Sequence, residues 1–412
     1  FRRVLFRSLQ KKSLADIVSG TLKGILGFLI IGAGAGIIVS ALLIFQPIWT
    51  EVFGLSSMNL TNIIGQARFS ERYGSSVTIA IAGGFAINLL LARLTRFKYI
   101  YLTGHMMFWT TMIFAGVMVN TEPAISAVQL TLMLTVIMGL YWTLQPALVQ
   151  PWVRKITGND NVALGHTSAS VALLGAIFGQ IFARNKISSE DIKVPKKLGF
   201  LRDSNVVTAL TMALLFFIGT FILQIKGTPK AAEILAQSGD LSFYIYALKQ
   251  SLMFTGGIAV VLLGVRMFIG EMVPAFNGIG SRLVPGAKPA LDCPILFNFA
   301  PNAVVLGFVG AFVGSLLWLT LIGRYTGYVF IPSMIVIFFH AGTAGVFGNI
   351  TGGYKGALLA GFITSTVVAW GQYFCVTGFI DNTIPDTALW AGDSDMFVLA
   401  PVIHLLTRLL AF

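Results

Sequence analysis

Uncharged runs long enough to cross a bilayer constrain this chain more than any other feature. Ile25 to Phe45 and Ala311 to Ile322 carry no charged side chain, and Val206 to Leu223 is almost solidly apolar. About 20 such residues in helical form match the hydrocarbon thickness of a membrane. A chain of 412 residues then has room for about ten crossings once connecting segments are subtracted. The apolar runs predict spans near 22–45, 77–93, 99–119, 124–148, 205–224, 248–269, 302–323, 328–346, 355–378 and 395–412. With 56% hydrophobic and 11% charged residues, no stretch is left for a separate soluble catalytic domain. An outer-membrane barrel would need alternating segments of about 10 residues, which these solid runs are not. The predicted class is an all-α polytopic membrane protein.

The net charge of +12 comes from Lys and Arg in short clusters between apolar runs, the pattern of cytoplasmic loops and not of a nucleic-acid-binding face. The longest polar stretch, 183–204, holds six of these cations and is read as a cytoplasmic connecting segment. It divides the chain into a first membrane repeat, 9–182, and a second, 205–412. Residues 1–8 read as foreign, and the final apolar segment stops abruptly, so both ends are expected to be clipped. Cys293 and Cys375 form no paired motif and read as buried thiols, with no metal and no cofactor expected. Within the first half, 160–182 is too interrupted by Gly, Ser, Thr and His for a plain span and reads as a re-entrant hairpin shielded by protein. The halves show similarity in kind. GAGAGIIVSALLIF (32–45) compares with GVRMFIGEMVPAF (264–276), and YLTGHMMF (101–108) with FAPNAVVLGF (299–308), as expected of carriers that hold substrate at broken helices.

Charged groups inside a bilayer usually face a cavity or a partner, so the polar minority carries the functional information. It comprises His105, His166, Arg266, Glu271, Asp292, Asn298, Asn302 and His340. Arg266 and Glu271, five residues apart, are poorly placed as a same-face pair and read first as structural ion pairs with other helices. Asp292, in ALDCPILFNFAPN (290–302), can accept two hydroxyl donors of a polyol; its structural alternative is a helix cap ahead of Pro294. His166, in ALGHTSAS beside Thr167, can donate to one ligand oxygen and accept from another, although a satisfied core histidine is the default. His105 reads as a residue that positions a broken helix. No Walker loop, HExxH or Gly-x-Ser-x-Gly is present, so a membrane enzyme acting alone has the least support.

Several runs together resemble the ascorbate-specific IIC membrane component of the bacterial phosphotransferase system: GTLKGILGFLIIGAGAG, YLTGHMMF, GVRMFIGEMVPAFNGIGSRLVPGA, LDCPILFNFAPNAVVLGF and GVFGNITGGYKGAL. The resemblance implies a homodimer in the inner membrane. Each protomer would have a dimerising part and an elevator-type core of two inverted repeats with re-entrant hairpins, and the family's first and last helices would be missing or truncated here. It implies uptake of ascorbate or a related carbohydrate, coupled to phosphorylation by a separate IIB protein charged by IIA; the phosphoryl-carrying residues lie on those partners and not on Cys293. Carried over by motif, His166 and Asp292 hold substrate; Asn302, His105, Glu271 and Arg266, from the polar minority above, are read as supporting residues. Three matching positions depart from the family pattern: Trp109 and Thr167 replace glutamines and Ala35 replaces a serine. Trp109 offers a face for a sugar ring to stack on. The alternative is an ion-coupled secondary transporter of the same fold, in which Asp292 or Glu271 carries the proton.

Overall fold

Along the helix Ala127–Thr157, Leu132, Val136, Leu140, Leu144 and Leu148 recur at fourfold spacing on the exposed face, while Leu130, Leu134, Met138 and Trp142 fill the buried one. A helix apolar on both faces, in a folded protein, faces lipid on its outer side. In the computed structural model, residues 13–52, 54, 66–182, 187–192, 204–282, 284–326, 328, 334–380 and 393–410 are described. They form α1 (Leu14–Val52), α2 (Gln66–Leu94), β1 (Tyr99–Tyr101), α3 (Gly104–Thr121), α4 (Ala127–Thr157), β2 (Ala163–Leu164), α5 (Ala169–Phe182), α6 (Ser204–Lys226), α7 (Pro229–Ala236) and α8 (Phe243–Arg282). There follow β3 (Lys288–Leu291), α9 (Pro294–Phe297), α10 (Pro301–Thr326), α11 (Met334–Phe374) and α12 (Ser394–Leu410). Residues 1–12 and most of the 183–204 connection lie outside the described residues.

Seven helices among the described residues are long and apolar enough to cross a membrane, so the chain is a multi-pass membrane protein. Three departures account for the difference from the ten expected spans. The run at 99–119 divides into β1 and α3, and α12 is 17 residues long. The runs at 328–346 and 355–378 fall in one element, α11, interrupted at Gly353, whose φ of 66° only glycine adopts readily. Small residues let the helices close on each other. A Cβ on Gly361 would sit 2.0 Å from the Gly307 carbonyl, and one on Gly34 of α1 or Gly264 of α8 would sit 2.7 or 2.6 Å from backbone of the opposite helix.

The helical reading did not anticipate a sheet. β1, β3 and β2 form a three-stranded parallel sheet in that order, with Ile100 opposite Pro289 and Leu164 opposite Leu291. Irregular or strand backbone at membrane depth survives only inside protein, and β1 and β2 are fully buried. Their outer edges are closed by amide side chains from the flanking helices. Asn88 of α2 donates to the Tyr99 carbonyl at 3.0 Å and accepts from the Tyr101 amide at 3.1 Å, as a neighbouring strand would. Gln150 of α4 donates to the Val162 carbonyl at 2.9 Å and Gln145 to that of Leu164 at 3.3 Å.

At the amino ends of the strands, Asp160 accepts from Gln150 at 2.8 Å and from Arg154 at 3.1 Å, and is paired with Lys288. Partial burial pushes this carboxyl up, but the Lys288 and Gln150 hydrogen bonds and the nearby cations outweigh it, leaving its pKa below the ordinary carboxylate value. A depressed folded pKa contributes stability above the unfolded value, about 3.9, and that contribution disappears as pH falls through the folded pKa. Asp160→Asn is therefore expected to lower thermal stability modestly at pH 7, its carboxylate being 41% exposed, and to match the parent once the pH has fallen through the folded pKa. Melting curves over a pH series check this; a difference that persists in acid contradicts it.

Candidate functional site

Parallel strands deliver their carboxyl ends to one edge, and a titratable residue follows each strand within a few positions. β1 leads through Thr103 into α3 and presents His105; β2 leads through Gly165 to His166; β3 leads directly to Asp292. Gly165 is required at that crossing, because a Cβ there would lie 2.7 Å from the Ala290 carbonyl. One donor or acceptor atom from each of His105, His166 and Asp292 lies within 4.8 Å of the others. His105 Nε2 is 3.5 Å from Asp292 Oδ2, and His166 Nε2 is 3.7 Å from Oδ1. Both distances exceed a good hydrogen bond, so the imidazoles and the carboxylate retain capacity for a ligand between them.

Exposure grades across the trio. The side chain of His105 is 53% exposed, that of Asp292 33%, and that of His166 3%, giving a mouth and a floor. The His166 tautomer follows from its neighbours: the Ser168 amide donates to Nδ1 at 3.1 Å, so in the neutral ring the proton resides on Nε2, which faces Asp292. Asp292 accepts from its neighbour's amide, Cys293 N, at 2.7 Å. Cys293 is the residue that precedes the first helical position of α9, Pro294, so Asp292 lies one residue further upstream with its side chain on the Cys293 amide. Cys293 and Cys375 are free and buried, as expected.

Other expected residues fall differently. Thr167 is fully buried, its hydroxyl donating to Asp393 Oδ2. Trp109 stands one turn beyond His105 on the same face of α3, half-buried, edge-on to Phe108. Arg266 Nε donates to Asn298 Oδ1 at 3.2 Å, while Glu271 lies further along α8, partly buried. Asn302 is in the first turn of α10 with its Oδ1 buried and without a partner among the described residues. Ala35 lies within α1, and its side chain is outside the described residues.

Sequence reasoning singled out His340 but missed the second polar layer to which it belongs. His340 of α11 places Nε2 3.4 Å from Asp393 Oδ2 and Nδ1 2.8 Å from Ser394 Oγ. Asp395 accepts from the Tyr141 hydroxyl at 2.8 Å and from the Ser170 amide at 2.7 Å. A signal was present: GDSDMF (392–397) repeats the pattern of GHTSAS (165–170), a glycine, a titratable residue and a hydroxyl just before a helix.

Fold and site together define a multi-pass membrane protein whose polar groups gather where its helices are broken. A family model for the PTS system sugar-specific permease component, EIIC-GAT, matches residues 4–394, and the chain belongs to that family. It is 26% identical over 406 residues to a Mycoplasma pneumoniae protein named as an ascorbate-specific PTS system EIIC component. That alignment covers 86% of this chain and 61% of the relative, so the chain spans less than two thirds of the relative's length.

Proposed function

We propose that the chain is a IIC carrier that binds ascorbate or a related carbohydrate at His105, His166 and Asp292 and moves it across a bacterial inner membrane. The observation that carries this reading is the convergence of two imidazoles and one carboxylate within 4.8 Å at the carboxyl ends of three parallel strands inside an apolar bundle. An aspartate accepts from two adjacent hydroxyls, and imidazole Nε2–H groups donate to ring or enol oxygens. The amino ends of α3 and α5 add their partial positive charge, favouring an electron-rich or anionic sugar. Trp109 supplies a flat face one turn from His105. Thr167 contributes through Asp393, and Asn302, Arg266 and Glu271 support the broken helices around β3. Ala35 marks a position where the family's serine is lost.

In this reading two protomers pair through their outer helices. The core, with inverted repeats and a hairpin at 160–182, carries the bound sugar inward as an elevator. IIB, recharged by IIA, phosphorylates the sugar in place. A phosphate ester cannot recross the apolar barrier, which gives the transport its direction.

The test is a binding screen of the purified protein against ascorbate and a panel of pentitols, hexitols and sugars. A saturable ligand among them supports the reading, and no binding by any of them sinks it. The same spacing of donors would admit a metal ion, but the reading gives these groups to sugar oxygens. Ascorbate binding is therefore expected to be unchanged after exhaustive chelation; loss of binding that divalent metal restores would contradict the assignment.

A further inference from the structure

We propose that His340 and Asp393 hold one proton between them behind the sugar site and act as positioning residues for His166. The inference rests on the carrier reading only for its consequence in binding; the proton itself follows from geometry. His340 Nε2 faces Asp393 Oδ2 at 3.4 Å, with side chains 2% and 7% exposed. An imidazole lone pair opposite a carboxylate lone pair at that distance repels, so a proton sits on Nε2 or on the carboxyl. The same Oδ2 accepts from the Thr167 hydroxyl, while Oδ1 is buried without a partner among the described residues.

The pair is tied to the loop that presents His166. Ser394 Oγ lies 2.8 Å from His340 Nδ1 and 3.1 Å from the Thr167 carbonyl, and the Asp395 amide donates to that carbonyl at 3.0 Å. Thr167 is thus held by its hydroxyl and its carbonyl to the start of α12. Its neighbour His166 packs edge-on against the His340 ring at 4.9 Å, which fixes the plane in which Nε2 meets Asp292. Titratable groups also approach from several neighbouring elements. They are His166 after β2, Asp292 and Cys293 after β3, His105 of α3, Tyr101 of β1, Tyr141 of α4 and Asp395 of α12. Asp395 has each oxygen engaged, by Tyr141 and by Ser170, which leaves Asp393 as the carboxyl paired with His340.

The test uses the full chain in lipid vesicles, labelled with nitrogen-15 histidine. The sequence has only 4 histidines, so single substitutions assign every signal. His404, half-buried and bonded to Thr121 at 2.9 Å, serves as the reference. At pH 7 the His340 Nε2 signal is expected to be that of a ring nitrogen sharing a proton with the Asp393 carboxyl. Asp393→Asn keeps the shape and removes the charge. It is expected to abolish that signal, to change the Nε2 signal of His166, and to weaken ascorbate binding roughly tenfold with an altered pH profile.

A His340 Nε2 signal in the parent protein that shows no such shared proton overturns the proposal, and this outcome needs no variant to fold. A His340 signal unchanged by Asp393→Asn overturns it as well. If the spectra behave as expected but the parent protein binds no carbohydrate, the proton pair stands and the carrier reading fails.

Discussion

Replacing Asp292 by Asn is expected to weaken carbohydrate binding roughly 10- to 150-fold while leaving the folded protein intact. Hydrogen bonds to a charged group contribute about 1.5–3 kcal/mol each, against about 0.5–1.5 for neutral ones, and the substitution converts the charged acceptor to a neutral amide. Folding should survive. Asp292 has a side chain one-third exposed, and its amide contact, from Cys293 N at 2.7 Å, can be accepted equally by an asparagine oxygen. The imidazoles stand 3.5 and 3.7 Å away, beyond strong bonding, so little pairing energy is lost in the empty site. Calorimetric titration beside a melting curve separates the two effects. Unchanged affinity would remove Asp292 from the site, and a melting point that fell in step with affinity would make its role structural.

The second large effect is expected at Asn88, which bonds to none of the proposed ligand-binding side chains. Its side chain makes three buried bonds: to the Tyr99 carbonyl at 3.0 Å, from the Tyr101 amide at 3.1 Å and to Thr143 Oγ1 at 2.9 Å. Asn88→Leu preserves the volume but leaves a strand carbonyl and a strand amide without partners in an apolar interior. Each orphaned group costs about 1–3 kcal/mol, so a loss of about 2–6 kcal/mol is expected, enough to prevent stable insertion or folding of the core. Asn88→Gln, longer by one methylene, should retain part of the stability. Size-exclusion monodispersity and thermal melting in detergent check this. A leucine variant as stable as the parent would show that the edge of β1 finds other partners, and would weaken the account of how the sheet is tolerated.

How far the sequence reads depends on the length scale of each feature. α1, α2, α4, α6, α8 and α10 were legible because each holds an apolar run long enough to span the hydrocarbon thickness. The break after Ala290 was legible from Asp292, Pro294 and Pro301. β1, β2 and β3 were not, since two to four residues are too few for any periodicity to emerge, and pairing across 120 or more residues leaves no local mark. Asn88, Gln145 and Gln150 looked like isolated polar residues in apolar helices; their meaning appears only once the strand edges beside them are seen. His105 was read as a helix-positioning residue, yet its Nε2 stands with His166 at Asp292. Asp393 escaped because it sits at the start of the last apolar run, and its partner His340 is 53 residues earlier in the chain.

The central claim is that the carboxyl edge of the small parallel sheet is where carbohydrate binds. Electron cryo-microscopy of the protein in lipid nanodiscs saturated with ascorbate, or with the tightest ligand of the screen, tests it directly. The account predicts ligand density within hydrogen-bonding distance of His105, His166 and Asp292, with the Trp109 ring beside it. Density confined elsewhere, for instance in the apolar groove between Gly371 and Pro401, with the trio unchanged and empty, would contradict it.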